Sequence, residues 1–176
     1  MNVNLVPIPT VVNRLSQPVE YLSIRKSRNP SAGGAEARLF TRDLLNSLFN
    51  MYDIDAKGPF RVAGEQIDGA FTFEDTEFLL EAKWRSEKTA ASDLDTFAGK
   101  IGRRLDNTLG MFLSMNGYHD TAESLHSQAR AVMILMDGAD LSAVVEGRIS
   151  MPELLSRRRR HAARTGEILL NAYQVL

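Results

Sequence analysis

The chain has no cysteine. That excludes a disulfide framework, a thiolate-held structural zinc and a catalytic thiol, and it fits a reducing, cytoplasmic setting. No apolar run approaches the ~18 residues a membrane span needs, and no basic segment followed by an apolar stretch opens the N-terminus, so neither a membrane anchor nor an export signal is expected. An excess of either charge is also missing: 21 Lys+Arg stand against 22 Asp+Glu for a formal net charge of −1. Whole-molecule electrostatics therefore do not identify a nucleic-acid binder. The three histidines, His119, His126 and His161, have no zinc-ligand spacing, and we assign them no role. There is no internal repeat and no low-complexity tract. What is present is ordinary globular material, 44% hydrophobic and 24% charged over 176 residues, enough for one hydrophobic core.

Residues 1–32 hold Pro7, Pro9, Pro18 and Pro30 and run into Ser31-Ala32-Gly33-Gly34, which reads as an N-terminal arm or linker before a domain spanning 33–176. From Ala35 to Tyr52, Phe40, Leu44, Leu48 and Tyr52 recur every four positions, an amphipathic helix that carries Glu36 near its start. Glu36 points either to the edge of the core or simply to the helix dipole as an N-terminal partner. Arg61–Phe73 and Glu77–Trp84 read as two strands of a hairpin around Glu74-Asp75-Thr76. Ser92 with Asp95 resembles a capping box opening a helix whose buried stripe is Leu94, Phe97, Ile101 and Leu105. Apolar strands at Met111–Met115 and Ala131–Met136 flank a helix at about Thr121–Arg130. Near-continuous apolar runs of this kind suit central strands covered on both faces. Helices at about Leu141–Glu146 and Pro152–Ala163 follow, with a last strand expected at Ile168–Leu176. This order predicts an α/β sandwich around a mixed central sheet.

The chemistry concentrates in Gly64-Glu65-Gln66-Ile67-Asp68-Gly69-Ala70-Phe71 and Leu79-Leu80-Glu81-Ala82-Lys83-Trp84. A hairpin in which paired residue numbers sum to 151 sets Asp68 opposite Lys83 and diagonal to Glu81. Alternation then gathers Asp68, Ala70, Thr72, Leu79, Glu81 and Lys83 on one face, with Ile67, Phe71, Phe73, Phe78, Leu80 and Trp84 on the other. Two carboxylates at that separation can share one cation, and hard oxygens with room for water suit Mg²⁺. The Ala82 carbonyl between them is a further candidate oxygen. A cation there polarises a phosphate oxygen and acidifies a bound water, while the Lys83 ammonium orients that water or stabilises transition-state charge. The same three residues also fit a plain cross-strand ion network on a solvated face.

Taken with the helix bearing Glu36 and with Phe97-Ala98-Gly99-Lys100-Ile101, these segments resemble the PD-(D/E)xK nuclease superfamily, particularly Mrr-like restriction endonuclease domains, over about residues 33–136. No proline precedes Asp68; Ile67 stands there. The resemblance implies a restriction-endonuclease-like α/β/α sandwich and a magnesium-dependent DNA-cleaving core in which manganese can substitute. It also implies Asp68 and Glu81 as metal ligands, Lys83 as the catalytic lysine and Glu36 as the acidic residue of the first helix.

Basic residues cluster at Arg25, Lys26 and Arg28, at Lys100, Arg103 and Arg104, and at Arg157–Arg160. The second group shares one face by i, i+3, i+4 spacing, opposite the apolar stripe, and suits phosphate contact, although a solvated helix face has the same pattern. Arg157–Arg160 wraps around a helix and reads mainly as surface charge. The leading expectation is a metal-dependent endodeoxyribonuclease, an effector of a restriction or anti-phage system, acting as a homodimer or within a larger multidomain assembly. The alternatives are an inactive nucleic-acid-binding or scaffolding domain of the same fold, and a nuclease acting on RNA or single-stranded DNA.

Overall fold

In a computed structural model of the chain, residues 44–127 and 130–170 are described. The N-terminal arm, Glu36, the basic group Arg25, Lys26 and Arg28, and the last expected residues 171–176 lie outside them. The helix expected over Ala35–Tyr52 is described from 44 to 51 (α1). Its apolar row buries Leu44, Leu45, Leu48 and Phe49, as the four-residue recurrence requires.

Five strands make the main sheet in the order β1-β4-β5-β6-β7, where β1 is Asp55–Lys57, β4 Gly69–Phe73, β5 Thr76–Lys83, β6 Thr108–Ser114 and β7 Met133–Asp137. The first three pair antiparallel and the last three parallel, so the sheet is mixed as expected. Parallel neighbours need a crossover. Helix α2 (Ala91–Gly102) joins β5 to β6, and α3 (Asp120–Ser127) lies between β6 and β7. Helices α4 (Gly138–Val145) and α5 (Met151–Thr165) complete the order.

Strand alternation sorts the side chains into two cores. Met111, Leu113, Ile134 and Met136 pack with α1, α4 and α5, whereas Phe112, Met133 and Leu135 pack with α2 and α3. Each face of β6 and β7 is thus covered by helices, which is why those strands are apolar throughout. The result is the three-layer α/β/α sandwich. Among the described residues no helix is long and apolar enough to cross a membrane.

Several local expectations change. The stretch Arg61–Phe73 is not one strand. Phe60–Val62 (β2) and Glu65–Ile67 (β3) form their own antiparallel pair, turned by Ala63 and Gly64, both at positive φ, and the chain bends at Asp68 before β4. The β4–β5 register is tighter than expected: Phe73 faces Thr76 and Gly69 faces Leu80, because Glu74 and Asp75, both at positive φ, close a two-residue turn. Pair sums are therefore 149, a slip of two residues that leaves every side chain of β4 and β5 on its expected face. Ile67 does change sides. The bend at Asp68 interrupts the alternation, and Ile67 joins Leu79 and Phe97 instead of Phe71 and Phe78.

The capping box expected at Ser92 does not form. α2 starts at Ala91 with Ala90 as N-cap and no side-chain cap, and the Ser92 carbonyl accepts from the Thr96 hydroxyl. The capping box of this chain is at Asp137 and Asp140, opening α4. α2 also ends at Gly102, leaving Leu105 at 77% exposure, because only five residues, 103–107, remain to turn the chain into β6. Arg158 is buried and paired with Asp140, so the Arg157–Arg160 run is not wholly surface charge. After α5, residues 166–170 form no strand, although the Leu135 N–H donates to the Ile168 carbonyl.

Candidate active site

The site is assembled where β4 gives way to the bend at Asp68. Ladder pairing stops at Gly69–Leu80, and continuing that register brings Asp68 level with Glu81. The Asp68 Oδ2 accepts the Ala82 N–H at 3.1 Å, so the side chain replaces the main-chain acceptor that the bend removes. Within a strand, the N–H and C=O of one residue point to the same neighbour, and the two neighbours alternate along the chain. The Lys83 carbonyl accepts from Met115 beyond β6; the Ala82 carbonyl therefore points to the Asp68 side.

On β5, Phe78 and Leu80 face the α1 side, while Leu79, Glu81 and Lys83 face α2, as the alternation predicts. Glu81 is only 7% exposed. Its Oε1 accepts from Lys83 Nζ at 2.7 Å and its Oε2 from Lys100 Nζ at 2.9 Å. Lys100 reaches the site from α2 and also donates to the Gln66 carbonyl at 2.9 Å. Glu81 is therefore a buried carboxylate held by two ammonium groups, which such burial demands.

Among the described residues, the bond to Asp68 comes from the Ala82 N–H and none comes from an ammonium. Burial, and after it the negative charge of Glu81, push its carboxyl above the ordinary value of 3.8, against the opposing pull of the Ala82 N–H, Lys83 and Lys100. The carboxylate pair remains short of positive charge on the Asp68 side. Two hard carboxylates and an inward carbonyl fit a divalent cation there. Among the described residues no group of three or more acidic or histidine side chains could hold a metal, and Glu36, the expected additional acid, is outside them.

Asp68, Glu81, Ala82 and Lys83 thus come together where β4 begins and the neighbouring β5 ends. Lys100, Arg103 and Arg104 share one flank beside this point, the first two hydrogen-bonded to carboxylates and the third in a longer ion pair. Arg103 pairs with Glu65 through two nitrogens, and Arg104 lies 3.7 Å from the same group. Sequence reasoning placed Lys100 on a phosphate-facing flank and not against Glu81, and it did not name the Gln66 carbonyl. The available signal was the helical wheel: Lys100 adjoins Ile101 and is three residues from Phe97, both of which face the sheet, so its stem starts on the flank overlooking β5. Trp84 packs against the α1-side core, in keeping with a packing role.

The sequence matches no family model and no curated protein. Similar solved structures include the MspJI restriction endonuclease in complex with a 27-mer oligonucleotide, at 12% identity and a TM-score of 0.44 over 99% of this chain and 42% of that one. They also include the DNA modification-dependent restriction endonuclease AspBHI, at 19% identity and a TM-score of 0.41 over 87% of this chain and 39% of that one. A third, AF1548, a protein of unknown function, is 14% identical with a TM-score of 0.47 over 78% of this chain and 92% of that one. The chain thus spans well under half the length of the two endonucleases.

Proposed function

We propose that the chain is a metal-dependent nuclease that hydrolyses phosphodiester bonds in DNA. The observation that carries this reading is the convergence of Asp68, Glu81 and Lys83 at the end of β4, with Asp68 fixed by the Ala82 N–H and Glu81 buried beside two lysines. A solvated ion network has no need to bury a glutamate to 7% exposure beside a half-buried aspartate.

In this reading Asp68 and Glu81, with the Ala82 carbonyl, hold Mg²⁺ or Mn²⁺. The bound ion would supply Lewis acidity toward a phosphate oxygen and a lowered pKa for a coordinated water. Lys83 keeps its ammonium beside Glu81, where it can donate to an attacking water or to the charge that develops on the phosphate. Asp68 is oriented by the Ala82 amide, which leaves its second oxygen free to face the ion. Lys100, Arg103 and Arg104 form a cationic flank within reach of a nucleic-acid backbone. An effector role in restriction or anti-phage defence, with two copies acting on the two strands, agrees with one such site per chain.

The test is incubation of supercoiled plasmid with the protein in Mg²⁺, Mn²⁺ or EDTA, with linear DNA, single-stranded DNA and RNA as competitors. Cleavage that needs the divalent ion and prefers DNA supports the reading. Binding of DNA without cleavage under any of these conditions would instead favour an inactive binding domain, and preferential loss of RNA would reassign the substrate.

A further inference from the structure

Among the described residues, Lys100 reaches Glu81 from outside the β3–β5 segment. Its backbone is anchored, since Phe97 and Ile101 on the same helix are buried against the sheet. Its four-carbon stem is longer-ranged, and the ammonium donates to Glu81 Oε2 and to the Gln66 carbonyl, each at 2.9 Å. A carboxylate and a backbone carbonyl are the oxygen donors a divalent cation takes. The Lys100 side chain is 15% exposed, so little water competes for those oxygens.

Among the described residues, Asp68 and Glu81 bring two negative charges to the site and Lys83 and Lys100 two positive ones, a balance reached with no metal. Adding a divalent cation with both lysines in place would leave two uncompensated positive charges in a poorly hydrated pocket. One ammonium has to leave. Lys83 starts two residues from Glu81 on the same strand face and, in the nuclease reading, stays to act on the attacking water; Lys100 comes from α2 and is the ammonium that leaves.

We propose that Lys100 is the resting counter-ion of the carboxylate pair: it holds Glu81 Oε2 and the Gln66 carbonyl, and must release them before a divalent cation is held between Asp68 and Glu81. This rests on the nuclease reading above. Once released, the ammonium joins Arg103 and Arg104 on the flank offered to phosphate, so metal loading and backbone contact become linked through one side chain.

The experiment titrates the intact chain with MnCl₂ by calorimetry while peptide mass spectrometry follows acylation of Lys100 and Lys83 by an amine-selective reagent. Lys100→Met is titrated in parallel. Mn²⁺ should accelerate acylation of Lys100 several-fold and leave Lys83 little changed, and Lys100→Met should bind Mn²⁺ about tenfold more tightly, since one ammonium–carboxylate bond no longer has to be broken. Mn²⁺ binding that leaves Lys100 reactivity unchanged or lowered, or that is equal or weaker in Lys100→Met, overturns the counter-ion role and leaves the metal site standing. Absence of Mn²⁺ binding in both proteins removes the metal site and the proposal together. The acylation arm uses the unaltered chain and does not depend on how the variant folds.

Discussion

Asp68 is held in surroundings that disfavour its charge, at the expense of stability. Its folded pKa is raised by burial first and by Glu81 second, so the folded chain binds this proton more tightly than the unfolded one. The resulting contribution is fully present below the ordinary value of 3.8 and is lost as pH rises through the higher folded value. At neutral pH without metal, the ionised Asp68 therefore opposes folding. Asp68→Asn keeps an acceptor for the Ala82 N–H and removes the charge. Urea denaturation in EDTA should show Asp68→Asn matching the unaltered chain near pH 3 and exceeding it at pH 7; equal midpoints at both pH values would contradict the desolvated, cation-poor environment assigned to Asp68. Adding Mg²⁺ at pH 7 should narrow or reverse the difference, because the ion stabilises only the chain that keeps both carboxylates.

Elements hold the site by two contacts that can be broken separately. A Cβ on Gly110 of β6 would lie 2.4 Å from Ile101 Cδ1 and 2.6 Å from Phe97 Cε1, so Gly110→Ala pushes α2 away from the sheet and carries Lys100 with it. The expected cost is about 1–3 kcal/mol in thermal or chemical denaturation, with loss of the Lys100–Glu81 contact; an unchanged midpoint would mean that α2 packs more loosely than described. On the far face, the buried pair Asp140–Arg158, 2.5 Å apart, ties α4 to α5, and Arg158 also donates to the Leu135 carbonyl of β7. Asp140→Ala strands a buried guanidinium and should cost about 3–5 kcal/mol, whereas joining it to Arg158→Met should recover much of that; additive losses would contradict a coupled pair. Much of this architecture was legible beforehand. The continuous apolar runs of β6 and β7 gave strands covered on both faces, and the four-residue recurrence gave α1. The faces of Glu81 and Lys83 followed from alternation, which a two-residue slip cannot disturb. Less legible were features decided by backbone conformations unusual for their residues: Ala63 in the β2–β3 turn, Glu74 and Asp75 in the β4–β5 turn, and the bend that moved Ile67 across the sheet. The three-residue strand β1 and the burial of Arg158 were missed because neither has a periodic signature; only tertiary packing makes them.

At the scale of the whole molecule, the carboxylate pair stands at the end of a hairpin buttressed by helices on both faces, with basic side chains on one flank and a formal net charge of −1 that does not by itself draw nucleic acid. With one proposed site among the described residues, nicked plasmid should accumulate before linear product, and the second cut should accelerate as protein concentration rises and copies meet. Linear product formed at a rate proportional to protein concentration, without a nicked intermediate, would contradict a single-site chain. The central claim, that Asp68, Glu81 and Lys83 perform metal-dependent phosphodiester hydrolysis, is tested most directly by plasmid cleavage with Lys83→Met. Lys83 is at the rim, 23% exposed, so circular dichroism should show the fold retained while the cleavage rate in Mg²⁺ or Mn²⁺ falls by about 100-fold or more. A folded Lys83→Met that cuts as fast as the unaltered chain would contradict the account.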